Sequence, residues 1–144
     1  MLKGIPKILS PELLKVLAEM GYGDRLVISD GNFPANSMGK GGIVIRMDGH
    51  GVPEILDAIL QVFPLDTYVE KPVKLMEVVV GDTVETLIWD TYKEIIARYD
   101  ERGAATVGNV ERFAFYEEAK TSYCIIATSE AALYANIMLQ KGVI

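Results

Sequence analysis

The sequence predicts an α/β fold: a three-layer α/β/α sandwich with a mixed sheet, formed by one domain over residues 1–144. Amphipathic helical segments alternate with short apolar runs, and this alternation is typical of a sheet that is covered by helices on both faces. The connections between the later strands are too short for crossover helices, so some of those strands are expected to run antiparallel. A chain of 144 residues is long enough to bury a substantial core.

The composition argues against several classes of protein. Half of the residues are hydrophobic and 24% are charged, as in ordinary folded domains. The formal net charge is -6 and no basic cluster is present, so a nucleic-acid partner is not expected. No apolar run approaches the roughly 20 residues that span a bilayer, and the first residues lack the apolar core of a signal peptide, which predicts a cytoplasmic protein. With one cysteine and one histidine, a zinc-finger site cannot form, and we expect no metal.

The first helix and the first strand are marked by residues at their ends. Ser10 can cap the helix and Pro11 suits its first turn, and apolar residues then recur at helical spacing until Gly21. The apolar run of residues 26–28 predicts a buried strand. The turn-forming residues 29–36 follow it, at the end of the strand where open α/β sheets usually bind ligands.

The two ends of this strand carry the first candidate site residues. Asp30 stands at the head of the loop, where its carboxylate can bind a ligand, or where Asp30 and Asn32 merely build the turn. Before the strand, Gly21 and Gly23 bracket Tyr22 and hold it on a tight turn.

The remaining elements follow from the same patterns. Strands are expected at residues 42–46, 73–80, 106–110, 123–128 and 136–139. Helices are expected at residues 53–63, between residues 86 and 103 with Thr86 or a neighbour as the cap, at residues 111–120, and as a single turn at residues 129–132. Cys124 lies within a strand and is predicted to be a core residue; the alternative, a catalytic pair with His50, requires the two side chains to meet in space.

Several stretches together resemble the RbsD/FucU family of sugar mutarotases. They are S-P-E-L-L-K-V-L-A-E-M-G-Y-G-D and I-S-D-G-N-F-P-A-N-S-M near the start, P-L-D-T-Y-V-E in the middle, E-R-F-A-F-Y-E-E-A-K at residues 111–120 and A-L-Y-A-N-I-M-L-Q-K-G-V at residues 132–143. The stretches occur in the same order as in the family, and the resemblance extends over essentially the whole length of the chain. R-F-A-F-Y-E is similar to the fucose mutarotase branch rather than the ribose pyranase branch.

The resemblance implies an RbsD-like fold and a cofactor-free isomerase that interconverts the anomers of a sugar. L-fucose is the implied substrate, with ribose as a second. Family members form ring-like homo-oligomers with sites at subunit contacts. By position, the resemblance assigns substrate binding to Asp30, Arg112, Tyr116, Tyr134 and Asn136.

The residue types alone leave other roles open for this set. An arginine at a helix start, such as Arg112, is also suited to an ion pair with Glu111 or Glu117. The two tyrosines suit boundary positions, with the ring inside and the hydroxyl at the surface. Phe33 and Met38 are candidates for the wall that accepts the methyl group of a deoxyhexose.

One position departs from the family's pattern. The family's G-H-G-D reads G-Y-G-D here, so Tyr22 stands where the resemblance places a histidine proton donor. Mutarotation needs an acid at the ring oxygen and a base at the anomeric hydroxyl, and a phenol is a poorer base than imidazole. Three hypotheses follow. In the first, Tyr22 donates the proton while Asp30 acts as the catalytic base. In the second, the chain is a non-catalytic sugar-binding or regulatory protein. In the third, His50 takes the place of the family's histidine; the alternative for His50 is a simple role in the turn.

Overall fold

A six-stranded mixed sheet forms the centre of the structure, a computed structural model that describes residues 1–144. The strands are β1 (Arg25–Ser29), β2 (Ile43–Met47), β3 (Val73–Met76), β4 (Val107–Val110), β5 (Cys124–Thr128) and β6 (Ile137–Gln140). Their order in the sheet is β2-β5-β1-β6-β3-β4. β6 runs antiparallel to both β1 and β3, and the other three pairings are parallel, which confirms the expected mixed sheet.

Helices cover both faces of the sheet. They are α1 (Pro11–Glu19), α2 (Ala35–Met38), α3 (Val52–Leu60), α4 (Leu87–Ala97) and α5 (Arg112–Lys120), with a 3₁₀ turn at Gly103–Thr106. The larger core joins one face to α1, α3 and α4, and the smaller core joins the other face to α2 and α5. This arrangement confirms the predicted three layers. No helix combines the length and apolar character needed to cross a membrane.

Side-chain alternation along β1 builds these two cores. Leu26 and Ile28 belong to the larger core, and Val27 between them belongs to the smaller one. All three side chains are completely buried, as expected for a central strand with helices on both faces.

Local chemistry fixes both ends of α1. The Ser10 hydroxyl accepts a hydrogen bond from the Leu13 amide at 3.1 Å, as the sequence predicts for the cap. At the other end, the Lys141 ammonium donates to the backbone carbonyls of Leu17 and Met20, which α1 itself leaves without partners. The glycine in the left-handed region is Gly23, with φ of 82°, and not Gly21.

Three local expectations about elements were wrong, and one further element was not expected. The strand expected at residues 73–80 ends at Met76, because its pairing with β6 ends at Leu75 and its pairing with β4 ends at Met76, beyond which only the Glu77 amide bonds to Val110. No helical turn forms at residues 129–132, where the Ser129 amide bonds to the His50 carbonyl instead. The short α2 was not expected. Thr86 precedes α4, but its side chain makes no capping hydrogen bond.

Cys124 is a core residue, as predicted. Its side chain is completely buried within β5. Burial raises the pKa of the Cys124 thiol to about 12, so a thiolate nucleophile is not available there near neutral pH.

Candidate functional site

A cavity of about 260 Å³ opens beside the carboxyl end of β1. Because β6 is antiparallel to β1, the start of β6 lies at the same edge of the sheet as the end of β1. The first turn of α5, which follows β4, reaches this edge as well. The cavity contains all five residues predicted to bind substrate, which are Asp30, Arg112, Tyr116, Tyr134 and Asn136.

Asp30 is held by backbone hydrogen bonds from its own loop. Its Oδ1 accepts the amides of Asn32 and Phe33, each at 3.0 Å. Its own amide donates to Asn136 Oδ1 at 2.8 Å, which ties the loop to the start of β6. The residue therefore builds the turn and also lines the cavity, so the two alternatives for Asp30 are compatible.

The environment of Asp30 favours proton exchange. The side chain is only 6% exposed, and this burial raises its pKa above the ordinary value, even though the hydrogen bonds from Asn32, Phe33, Ala135 and Asn136 act in the opposite direction. A carboxylate with a raised pKa is a stronger base than a surface aspartate, which suits acid-base chemistry.

Arg112 lies at the start of α5 without an ion pair. Glu111 instead accepts two backbone amides of α5, and Glu117 pairs with a lysine of its own helix. The guanidinium carbon of Arg112 lies 4.8 Å from the ring centre of Phe113, and its buried Nε has no hydrogen-bond partner. An unpaired buried N–H is costly, so Arg112 is left as a donor for a ligand.

Tyr134 is the one residue other than glycine whose backbone φ is positive. Its φ of 55° lies in the left-handed region, which is costly for a tyrosine. The Trp89 indole donates to the Tyr134 carbonyl at 2.8 Å, and the Tyr92 hydroxyl donates to the Ala135 carbonyl at 2.6 Å. Helix α4 thereby fixes the backbone that aims Tyr134 at the cavity.

The hydroxyl of Tyr134 is bound to a second acidic residue of the cavity. It donates to Asp82 Oδ2 at 2.7 Å. This hydrogen bond raises the pKa of Tyr134 and lowers the pKa of Asp82, because it favours the neutral phenol and the charged carboxylate.

Aromatic and apolar side chains form the rest of the wall. The Phe33 and Tyr116 rings are 5.6 Å apart between centres. Phe33 lines the cavity as expected, but Met38 does not, because its side chain packs against the smaller core. Met76 and Leu133 supply the apolar surface instead.

Four cavity residues were not predicted as site residues: Asn32, Met76, Asp82 and Leu133. The sequence offered only turn chemistry for Asn32 and for Asp82, which follows a glycine. No spacing rule could have found Asp82, because its partner Tyr134 lies 52 positions later in the chain.

Tyr22 is not part of this cavity. It lies in a turn closed by the Asp24 amide and the Gly21 carbonyl, at the amino end of β1. The five residues of β1, at about 3.3 Å each, separate that end from Asp30 by roughly 16 Å. The Tyr22 side chain is 57% exposed and packs edge-on against Tyr68, with 5.9 Å between ring centres.

His50 also lies outside the cavity, in the turn between β2 and α3. Its Nδ1 is 2.8 Å from Glu54 Oε1, and its carbonyl accepts the Ser129 amide at 3.0 Å. These contacts agree with the turn role and give His50 no contact with the five clustered residues.

The model of the RbsD / FucU transport protein family matches residues 3–144. The chain belongs to the RbsD/FucU family. Among its relatives, the fucose mutarotase of Bos taurus is 48% identical over 147 residues, which cover 99% of this chain and 94% of the relative. This similarity confirms the family and the branch that the motifs indicated.

Two solved structures of the RbsD/FucU family are similar to this chain over 99% of both chains. FucU from Bifidobacterium longum is 68% identical, with a TM-score of 0.97. The fucose mutarotase from Streptococcus pneumoniae, solved in complex with L-fucose, is 46% identical, with a TM-score of 0.90. The RbsD-like fold expected from the sequence is therefore confirmed.

Proposed function

We propose that this member of the RbsD/FucU family is an L-fucose mutarotase, which interconverts the α and β anomers without a cofactor. The observation that carries the proposal is the convergence of the five predicted binding residues on one cavity from three distant segments of the chain. The similarity to proteins described as fucose mutarotases, one of them solved with L-fucose, supports this choice of substrate.

The size and lining of the cavity suit one monosaccharide. Its volume of about 260 Å³ falls below the roughly 300–1,000 Å³ of pockets for drug-sized ligands. Arg112 can donate to sugar oxygens, and Asp30 can accept from a hydroxyl. The rings of Phe33 and Tyr116 suit the C–H faces of a pyranose, and the apolar Leu133 suits the methyl group of a 6-deoxy sugar.

In the proposed reaction, Asp30 acts as the base. Its ionised carboxylate takes the proton from the anomeric hydroxyl, the bond from C1 to the ring oxygen breaks, and the ring oxygen receives a proton from an acid. Rotation of the open-chain aldehyde and the reverse steps then give the other anomer. The bond between the Asp30 amide and Asn136 holds the carboxylate in place during these steps.

We infer that the acid is Tyr22 of a neighbouring copy in a ring-like homo-oligomer. Within one chain Tyr22 cannot reach the cavity, but its exposed ring is available to a second copy. Around it, Ile144 and Val143 are also exposed, and Tyr22 shares an apolar groove with them. Phenols remain protonated at neutral pH and can donate, although a catalyst that uses a phenol is expected to be slower than one that uses imidazole.

The position of Tyr22 also favours a second candidate function. If no neighbouring copy brings Tyr22 to the cavity, the site contains a base but no positioned acid. The chain would then be a non-catalytic sugar-binding or regulatory protein with the same fold and the same cavity.

Exchange NMR of L-fucose anomers at neutral pH tests the proposal. The protein is expected to accelerate exchange in proportion to its concentration, and Tyr22→Phe is expected to lose about 100-fold of this rate. Tyr123→Phe is the matched control, because its hydroxyl makes only a long contact of 3.4 Å with Glu19. Line broadening of fucose without acceleration would support the second candidate.

Light scattering tests the shared site separately. An oligomer is expected at micromolar concentration, because each site needs two chains. An active protein that is monomeric at that concentration would exclude a role for Tyr22 across a subunit contact.

A further inference from the structure

We propose that Asp82 is a further substrate-binding residue, whose carboxylate accepts a hydrogen bond from a hydroxyl of the sugar. The inference rests on the proposed function. Asp82 belongs to residues 77–86, a segment between β3 and α4 without helix or strand, and its side chain lines the same cavity as Asp30 and Arg112.

The segment is fixed at the cavity by Tyr134. The phenol donates to Asp82 Oδ2 at 2.7 Å and accepts the Val79 amide at 3.4 Å, so one hydroxyl holds two points of the segment. Tyr134 has the left-handed φ of 55°, and the Trp89 indole holds its carbonyl. A strained conformation that neighbouring contacts maintain in this way is typical of functional sites. Here the held conformation of Tyr134 directs its hydroxyl to Asp82 and so fixes the position of Asp82.

The carboxylate of Asp82 keeps free acceptor capacity. An ionised carboxylate offers about four acceptor positions. Tyr134 uses one on Oδ2, the Val84 amide uses one on Oδ1 at 3.2 Å, and no lysine or arginine pairs with Asp82. The bond from Tyr134 also keeps the pKa of Asp82 below its ordinary value, so the group is charged at neutral pH.

The other acceptors in the cavity are also partly used within the chain. Asp30 Oδ1 already accepts two backbone amides, and Asn136 Oδ1 accepts one. A pyranose presents several hydroxyl protons at once, and one partly used carboxylate cannot accept them all. Asp82 is therefore the acceptor that complements Asp30, while Arg112 donates to the sugar oxygens.

A double-mutant cycle on L-fucose affinity tests the inference. The dissociation constant is measured by NMR titration for the wild type, Asp82→Ala, Tyr134→Phe and the double variant. Asp82→Ala is expected to weaken binding about 10-fold, because a charged hydrogen bond to the sugar is lost, and to weaken it more than Tyr134→Phe, which only loosens Asp82. If Asp82→Ala weakens binding no more than Tyr134→Phe does, and the double variant no more than either, Asp82 only positions Tyr134 and the inference is overturned.

Glu85→Ala is the matched control, because Glu85 is an exposed carboxylate of the same segment that makes no hydrogen bond and lies outside the cavity. Its fucose affinity is expected to equal that of the wild type. A wild type that neither binds L-fucose nor accelerates its exchange would overturn the proposed function together with this inference. A wild type that accelerates exchange, with unchanged affinity in Asp82→Ala, would overturn this inference alone.

Discussion

The two ends of β1 carry the two residues proposed for catalysis, but the two ends are built differently. At the carboxyl end, Asp30 is 6% exposed and is tied to its surroundings by three hydrogen bonds. At the amino end, Tyr22 is 57% exposed, and its hydroxyl takes part in no hydrogen bond. The first arrangement is preorganised for a small molecule, and the second leaves a side chain free to meet another protein surface.

The two ends of β1 also differ in the number of energetically unfavourable features that they contain. The carboxyl end contains a buried acid with a raised pKa, an unpaired Nε on Arg112 and the left-handed Tyr134. The unpaired Nε of Arg112 and the left-handed backbone of Tyr134 each cost on the order of 1–3 kcal/mol. At the amino end, the positive φ falls on Gly23, where it is not costly. Strain is therefore concentrated where the ligand is expected to bind.

The largest effect is expected from Asp30→Asn. Removing the base should lower the rate of anomer exchange by roughly 10²–10⁴-fold, as measured by exchange NMR. Asp90→Asn serves as the control, since Asp90 is exposed on α4 and makes no hydrogen bond. A rate near that of the wild type in Asp30→Asn would remove the functional contrast between the two ends.

The same residue predicts the pH dependence. Because the folded pKa of Asp30 is raised, its base form is lost as pH falls through a value above 3.8, and the rate should fall with it. The free energy of unfolding depends on pH in the opposite direction. The stability that protonated Asp30 contributes is fully present below the ordinary pKa of 3.8 and is lost as pH rises through the raised pKa of the folded state. Asp30→Asn should therefore melt no lower than the wild type at pH 7. A clearly lower melting temperature would contradict this account.

Complementation between two inactive variants sharpens the comparison. If Asp30 of one copy works with Tyr22 of the next, co-expressed Tyr22→Phe and Asp30→Asn chains form some sites with both intact residues. A ring assembled at random from equal amounts of the two chains should recover roughly a quarter of the wild-type rate. Each site then has a chance of one half of containing an intact Tyr22 and a chance of one half of containing an intact Asp30. No recovery in rings shown to be mixed would mean that the two ends do not share a site.

A smaller effect is expected from Trp89→Phe. The variant keeps an aromatic ring but loses the indole donor to the Tyr134 carbonyl, at a cost of about 1 kcal/mol. The melting temperature should fall by roughly 2–4 °C, and fucose affinity should fall with it, because Tyr134 is less firmly held. A loss of stability with unchanged affinity would show that the backbone conformation of Tyr134 does not matter for binding.

The smallest effect is expected on the stability of Tyr22→Phe. Its hydroxyl has no partner and its ring is exposed, so the free energy of unfolding should change by less than about 0.5 kcal/mol. Urea denaturation measures this change. A larger loss would mean that Tyr22 supports the fold of its own chain, and its effect on activity would then need another explanation.

Several features of the fold and site were predictable because they depend on neighbours in sequence. Ser10 and Pro11 define the start of α1, and the apolar run of β1 defines a buried strand. The family motifs predicted five of the ten residues that line the cavity. The strand expected at residues 73–80 is shorter than predicted, because the length of a strand depends on the partners beside it, and the pairing ends at Leu75 with β6 and at Met76 with β4.

The sequence by itself determined the class of fold, the family and the residue types of the site, because helix ends, apolar periodicity and motifs are local properties of the chain. Tertiary structure alone decided which of those residues meet. It brought Asp82 to Tyr134 across 52 positions, and it placed Tyr22 and Asp30 at opposite ends of β1, a strand roughly 16 Å long. Contacts of this kind depend on the order and direction of the strands, which the burial of the whole sheet selects and no local pattern encodes.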